Sequence, residues 1–547
     1  TLSSLALRFR GKLEEQLTRY EFALQKGKRV EGEEKKKGRK EEGDKEKERT
    51  GEERDKEKER TGEERSKEKE GEKEEKRGAK RGEKREEGEV YAWQASLTLS
   101  DKDLSELYWD PIAFYTDEEG REYPLFLTIR YRYRAYLTYL YRGAYKQGKS
   151  FFYPYATGFH KLAFAFRERN VYDGLLFHGK EVLAILLFRL LKPYFKKHPT
   201  YLVYEKYCMS AQENAFFFFR YCMEQEGEGL PKDRVFYVLG KASKDWKRVA
   251  PYGKQVLPYG SLRHLLAMQA AKLLITTDTR YQVYPARMRG SLLQRILRKK
   301  PVVFLQHGLT ALKRVDFYYG KGEAGGCDLF ITTCEKEKRI VAENFGYGEK
   351  EIALTGFARW DALVDKAKGK REILIMPTWR SWLENLTPED FLQTDYYRSY
   401  MELLNSPRFM RLLEDHDLTA CFYLHQKFRE YLSDFACASS RLRLIPFGEV
   451  PANELLMECS LLVTDYSSVC WDVFYLGKPT LFFQFDRPTY LQVHGSYLDM
   501  EKELIGDCAE TSEELIEGLY QAVSKDFALQ PRYKGSSGGV FPGERSE

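Results

Sequence analysis

Apolar and polar positions change their rhythm along this chain, and each change predicts a different architecture. Between about residues 90 and 170 bulky and charged residues alternate, as in IRYRYRAYL (129–137) and LAFAFRE (162–168). Period-two alternation is the mark of a half-buried strand. DEEG (117–120) and scattered glycines break it, so a small β-rich module is expected over 90–178. From about residue 199 short apolar runs alternate with helical stretches: YLVYEK (201–206), VFYVL (235–239), LLITTD (273–278), VVFLQH (302–307), DLFITT (328–333) and EIALTG (351–356). After DKAKGKR (365–371) the series restarts with EILIMPT (372–378), TACFYLH (419–425), LRLIPF (442–447), LLVTD (461–465) and TLFFQFD (480–486). Strands spaced by helices imply parallel sheets with right-handed crossovers. The fold class expected is α/β, with two Rossmann-like domains, 199–366 and 371–527, facing a cleft. Ligands in such sheets bind at the carboxyl ends of the strands.

The remaining stretches are read from composition. Residues 31–88 hold one apolar side chain, Ala79, and the string DKEKERTGEER recurs at 44–54 and 55–65. Such a segment cannot bury enough surface to offset its ordering entropy. The segment 26–89 is therefore expected to be a disordered, charged insert joining residues 1–25 to the β-rich module, and 528–547 a flexible tail. The insert is nearly neutral, with 22 basic and 24 acidic residues over 31–90, against a whole-chain balance of +6. It thus hides a mildly basic body that suits an anionic membrane surface or phosphate-rich substrates. No nucleic-acid motif accompanies that charge, so no nucleic acid is expected as partner. Nine scattered cysteines without a CxxC pair fit reduced thiols in the cytoplasm. The most apolar run, VLAILLFRLL (182–191), is interrupted by Arg189 and too short to span a bilayer. It reads either as a buried helix or, with KPYFKKH after it, as an interfacial amphipathic helix connecting the domains over 179–198.

Chemistry-bearing residues gather at the strand ends. VVFLQ ends in His307-Gly308, with Lys313 close behind, and a histidine there is placed to act as a general base. ILIMPT runs into Arg380, whose fork fits phosphate. TACFYL ends in His425, with Lys427 two residues on, a pairing that favours a diphosphate. LLVTD continues into Ser467 and Ser468 before a helix, offering hydroxyls and free N–H groups, and TLFFQF ends in Asp486. Taken singly, each has a plain structural explanation: a satisfied histidine, a surface ion pair, a helix cap, a carboxylate on a turn. Their joint placement along one rim points to a phosphate- and hydroxyl-bearing ligand. No Walker A, GxGxxG, HExxH or GxSxG string is present and no DxD string stands at a strand end, so neither a metal nor a cofactor is expected.

HGLTALKR (307–314), TGFARWD (355–361), MPTWR (376–380), the strand ending in His425, and TDYSSVCWDVFYLGKPTLFFQFD (464–486) resemble the CDP-glycerol glycerophosphotransferases, the teichoic acid primases and polymerases of Gram-positive bacteria. The resemblance covers roughly 199–525. It implies a fold similar to type B glycosyltransferases and transfer of glycerol phosphate or ribitol phosphate from a CDP-polyol, with release of CMP. The acceptor implied is lipid-linked or polymeric, and the location implied is peripheral, on the cytoplasmic face of the plasma membrane. Carried over by motif, His307 would be the base. Arg380, His425, Ser467, Ser468 and Asp486 would bind the donor's phosphates and its polyol or ribose, with Lys313 as a further phosphate contact. The competing readings are a glycosyltransferase or epimerase using a sugar nucleotide, and a scaffold that only binds.

Overall fold

The computed structural model describes residues 2–9, 18–20, 25–29, 91–94 and most of 108–534. The readings made for 31–88, for IRYRYRAYL (129–137) and for the last residues of the tail lie outside the described set. Two compact units make up the chain, one from residues 1–7, 18–104 and 112–125 and the other from the rest. Within the first, Gln25–Arg29 pairs antiparallel with Tyr91–Gln94, so the chain leaves and rejoins one ladder on either side of the charged insert. Within the second, Tyr145–Gln147, Ser150–Ala156 and Leu162–Glu168 form an antiparallel meander. Phe151, Ala163 and Ala165 alternate into its core, as a period-two pattern requires. A 23-residue helix, Leu175–Lys197, follows.

Two parallel sheets carry the rest of the second unit. The first contains β1 (Thr200–Tyr204), β2 (Val235–Leu239), β3 (Val256–Pro258), β4 (Ala271–Thr276), β5 (Val302–Phe304), β6 (Leu329–Thr332) and β7 (Ile352–Leu354) in the order β3-β2-β1-β4-β5-β6-β7. The second contains β8 (Glu372–Ile375), β9 (Thr419–Tyr423), β10 (Leu442–Ile445), β11 (Leu461–Thr464), β12 (Thr480–Phe483) and β13 (Asp507–Ala509) in the order β10-β9-β8-β11-β12-β13. Both are doubly wound, with the strand order reversing between β1 and β4 and between β8 and β11, where loops diverge and open a crevice. β8, β11 and β12 are buried along their whole length, which explains their unbroken apolar sequences. The two strands the pattern did not predict, β3 and β13, are three-residue edges that carry no periodic signal. Helix starts are set locally: Ser261, Thr394 and Ser406 accept N–H bonds from the residue three ahead, and Thr511 with Glu514 forms a capping box.

One buried apolar cluster runs through both halves, from Phe304, Leu309 and Leu312 through Trp360 to Tyr466 and Trp471. A polar clasp reinforces it. The Tyr497 hydroxyl accepts the N–H groups of Val315 and Asp316 at 2.9 and 3.0 Å, and Tyr497 N–H donates to the Ala311 carbonyl at 3.0 Å. The stretch 311–316, with Lys313 in it, is thereby fixed against the second half.

Edge strand β13 approaches β12 so closely that any Cβ on Gly506 would overlap the Thr480 carbonyl. Gly506→Ala is expected to destabilise the second half by about 1–3 kcal/mol, as overpacking does. A denaturant midpoint equal to wild type would show that the edge gives way freely.

Candidate active site

The approach to His307 starts with a strained residue. After β5 the backbone passes through Gln306 at φ +57°, a left-handed conformation disfavoured for any residue with a Cβ. The Gln306 side chain is buried and donates to the Ile331 carbonyl at 2.6 Å and to Glu337 at 3.0 Å. Glu337 also accepts the Thr310 and Thr333 N–H groups and the Thr333 hydroxyl. Asn214 donates to the carbonyls of Leu305 and Gln306. The turn is thus held from three sides, and it leaves His307 open to solvent on one face while protein surrounds it on the others.

His307 Nδ1 lies 3.2 Å from the Thr277 carbonyl at the end of β4. A carbonyl can only accept, so Nδ1 carries the proton and Nε2 presents a lone pair. Burial lowers the pKa of the ring, against the opposing pull of Asp278 and the Thr277 bond. The imidazole is therefore neutral at pH 7, the form a general base needs.

Across the cleft, the His307–Gly308 turn meets the start of the helix Val469–Tyr475. A Cβ on Gly308 would stand 3.0 Å from the Ser468 Cβ and closer still to its hydroxyl, so only glycine fits. A buried ion pair sits beside this contact. Arg359 forks onto Asp472 at 2.9 and 3.0 Å, Trp360 Nε1 donates to the same carboxylate at 2.6 Å, and Arg359 Nη1 reaches the His307 carbonyl at 3.2 Å. Arg359 N–H also donates to Asn214 at 3.1 Å. The Arg359 guanidinium therefore ties the His307 turn of the first half to the second-half helix.

The structure pairs two of the residues singled out in the sequence with one another. Arg380 is 0 % exposed and donates to Asp486 through Nε at 2.6 Å and Nη2 at 3.0 Å, and to Asp465 through Nη1 at 2.8 Å. Tyr466 O–H donates to Asp486 as well, and the Tyr466 ring lies 4.9 Å from the guanidinium. Arg380 and Asp486 thus satisfy each other inside the second half instead of facing a ligand. The sequence pattern put both at strand ends correctly but could not show that they pair. Ser467 and Ser468 are half-buried at the cleft, opposite Gly308.

Around Trp379 the cleft gathers cations. Lys313 from the first half stands 5.3 Å from the indole centroid and Lys427 from the second 5.8 Å. The His425 ring is 6.0 Å away. His425 Nδ1 accepts the Lys427 N–H at 3.2 Å, so its neutral form carries the proton on Nε2 as a donor. Burial, helped by Lys427, Lys206 and Lys313, pushes its pKa down to about 4. Glu384 pairs with Lys427 at 2.9 Å, one carboxylate among these lysines. Burial also lowers the pKa of Lys313, against Glu384. Sequence reasoning missed Lys206, Asp278, Asn214 and Asp472. Lys206 and Asp278 end YLVYEK and LLITTD, so the strand-end rule applied to every first-half strand finds them.

Breaking the buried Arg359–Asp472 pair by Asp472→Asn or Arg359→Ala is expected to cost about 3–5 kcal/mol, the penalty of a stranded charge. Thermal and denaturant unfolding would check it. A loss under 1 kcal/mol would mean that the ion pair adds nothing to what already holds the two halves together.

The residues 188–536 match the family model of CDP-glycerol:poly(glycerophosphate) glycerophosphotransferase. The chain is 26% identical over 356 residues to the minor teichoic acid biosynthesis protein GgaB of Bacillus subtilis (strain 168), covering 62% of this chain and 37% of that protein. It is 26% identical over 287 residues to the teichoic acid poly(ribitol-phosphate) polymerase of Bacillus spizizenii, covering 47% and 43%. A solved structure of the wall teichoic acid polymerase TagF aligns with TM-score 0.48 at 16% identity, over 67% of this chain and 93% of that one. The chain spans about two fifths of the length of these curated relatives. Because the family model covers well over half of its residues, this chain belongs to the CDP-glycerol:poly(glycerophosphate) glycerophosphotransferase family.

Proposed function

We propose that the chain transfers glycerol phosphate or ribitol phosphate from a CDP-polyol to a hydroxyl of a cell-wall polymer or its lipid-linked precursor. The observation that carries this reading is the pairing, in one cleft, of a neutral imidazole with a free Nε2 and a set of lysines drawn from both halves. Relatives named as poly(glycerol phosphate) and poly(ribitol-phosphate) polymerases support a polyol as the transferred unit. The acceptor oxygen attacks the polyol-bearing phosphorus of the donor and forms the new P–O bond. His307 Nε2 takes the hydroxyl proton, the bond from that phosphorus to the bridging oxygen breaks, and CMP leaves. Lys313, Lys427 and the Nε2–H of His425 oppose the charge on the diphosphate, and Ser467 and Ser468 face the reacting group beside Gly308. Phosphoryl transfer needs mostly positioning and charge stabilisation, and this cleft supplies both.

His307→Ala is expected to lower CMP release about 10²–10⁴-fold, the usual contribution of a general base, with donor binding kept. Since burial lowers the His307 pKa below its ordinary 6.5, the base stays unprotonated as pH falls to that value. The acid limb of kcat/KM should therefore lie below pH 6.5. Incubation with CDP-glycerol and CDP-ribitol separately, reading CMP, tests the reading. Wild-type turnover in the variant, or an acid limb above pH 7, would remove His307 from this role.

The acceptor's lipid anchor calls for a membrane-facing surface, and the helix Leu175–Lys197 supplies one. No described helix is long and apolar enough to cross a membrane. Phe177 and Ala184 face the protein, while Leu176, Leu183, Leu186, Leu190 and Tyr194 form an exposed apolar stripe. Arg189, Lys192, Lys196 and Lys197 flank it, and such a helix lies in the headgroup plane of an anionic bilayer. Leu186→Glu with Leu190→Glu should abolish co-sedimentation with phosphatidylglycerol vesicles while CMP release with a soluble acceptor stays at the wild-type rate. Undiminished vesicle binding would exclude this face.

A further inference from the structure

The switch point of the first sheet presents a cation that the reaction as described does not use. β1 ends at Tyr204, and Glu205 behind it is fully buried. Its carboxylate accepts the N–H groups of Gln212, Glu213 and Phe216 and the Ser210 hydroxyl. The next residues turn outward through two consecutive left-handed positions, Tyr207 at φ +54° and Cys208 at φ +53°. Neither is glycine, so the turn persists only because its surroundings hold it. Gly240 N–H on the Cys208 carbonyl at 2.7 Å and the Glu205 cluster do so. What the turn displays is Lys206, exposed, with no carboxylate within 4 Å of Nζ among the described residues. Its Nζ lies 5.8 Å from the Tyr207 ring centroid. Its charge acts on both cleft histidines, lowering the pKa of His307 and of His425. Asp278 and Glu213 are the carboxylates on its side of the cleft, and Asp278 is engaged by the Thr279 N–H at 2.6 Å.

Lys206 belongs to the half that carries the base. The base must meet the acceptor hydroxyl, while the cations around Trp379 meet the donor. A polyol-phosphate chain ends in a hydroxyl a few carbons from an anionic phosphodiester. β1 ends beside β4, with Tyr204 opposite Thr276, so Lys206 shares a rim with Thr277, which holds His307, and a phosphodiester next to a hydroxyl at His307 would meet that wall. We propose that Lys206, on its strained turn, binds the terminal phosphodiester of the acceptor. The site then favours an acceptor already ending in polyol phosphate over an uncharged one. This rests on the transfer reading above and adds to it a residue that recognises the acceptor's charge.

The test uses the full chain with CDP-glycerol and two acceptors on the same alkyl tail, one ending in glycerol joined through a phosphodiester, the other through an ether. Wild type should prefer the phosphodiester acceptor by about tenfold to a hundredfold in kcat/KM, the value of one charge-assisted hydrogen bond. Lys206→Gln should erase the preference with the KM for CDP-glycerol unchanged, and Lys206→Arg should keep most of it. Equal thermal midpoints for the three proteins would attribute the loss to the contact. An undiminished preference in Lys206→Gln, or a loss expressed in the KM for CDP-glycerol, overturns the assignment and leaves the transfer reading standing. No CMP released by wild type from either CDP-polyol overturns the transfer reading and the assignment with it.

Discussion

The cleft depends on the Arg359–Asp472 pair. A desolvated guanidinium and carboxylate gain from one another only if geometry is good and the remaining donors are satisfied. Here the fork is bidentate, Trp360 takes a further share of the carboxylate, and the spare guanidinium donor goes to the His307 carbonyl. The ion pair therefore sets three things at once: the angle between the halves, the position of the helix behind Ser468, and the backbone at His307. Replacing it with apolar residues of equal volume would keep the halves together and still lose the register of His307. That register is a matter of direction, and apolar packing has none.

Around this fixed frame the cleft keeps its histidines neutral and sets lysines from both halves beside them. Burial lowers the pKa of both His307 and His425, and neighbouring lysines lower that of His425 further. The two rings then serve opposite purposes through opposite tautomers. His307 gives Nδ1–H to a carbonyl and keeps Nε2 as an acceptor, whereas His425 accepts an N–H at Nδ1 and keeps Nε2 as a donor. In the proposed transfer, one neutral imidazole would accept a proton and the other, equally neutral, would donate a hydrogen bond to an anion. The positive charge the site needs resides on Lys206, Lys313 and Lys427.

Much of this was legible in the sequence because strand ends are legible. Apolar runs of four to six residues mark parallel strands, and the residue after each run lies at the crevice, which is how His307, His425 and Ser468 were found. What the pattern could not supply is direction. Arg380 and Asp486 both stand at strand ends, yet the apolar surroundings of Tyr396, Tyr400 and Tyr466 turn them toward each other, since a buried charge is stable only when paired. Asp472 was hidden for a different reason: a lone acid in VCWDVFY names no partner, and only the tertiary contact reveals it as the partner of TGFARWD. The edge strands β3 and β13 escaped because VLP and DCA hold too few apolar residues to stand out as a run.

A shared construction principle links the two first-half turns that reach into the cleft. Gln306 and the Tyr207–Cys208 pair are left-handed without being glycine, and each is pinned by a buried glutamate that accepts four donors, Glu337 in one case and Glu205 in the other. Burial raises the pKa of both carboxyls, that of Glu205 to about 7, so these anchors carry an electrostatic penalty of their own. A fold under no functional constraint would relax such turns with glycine and fill the carboxylate sites with apolar side chains. Their persistence at two neighbouring strand ends, one carrying His307 and the other Lys206, follows if both side chains must stand in place before substrate arrives. Phosphoryl transfer places that demand on its catalyst, because little of its barrier is lowered by anything except charges already in position.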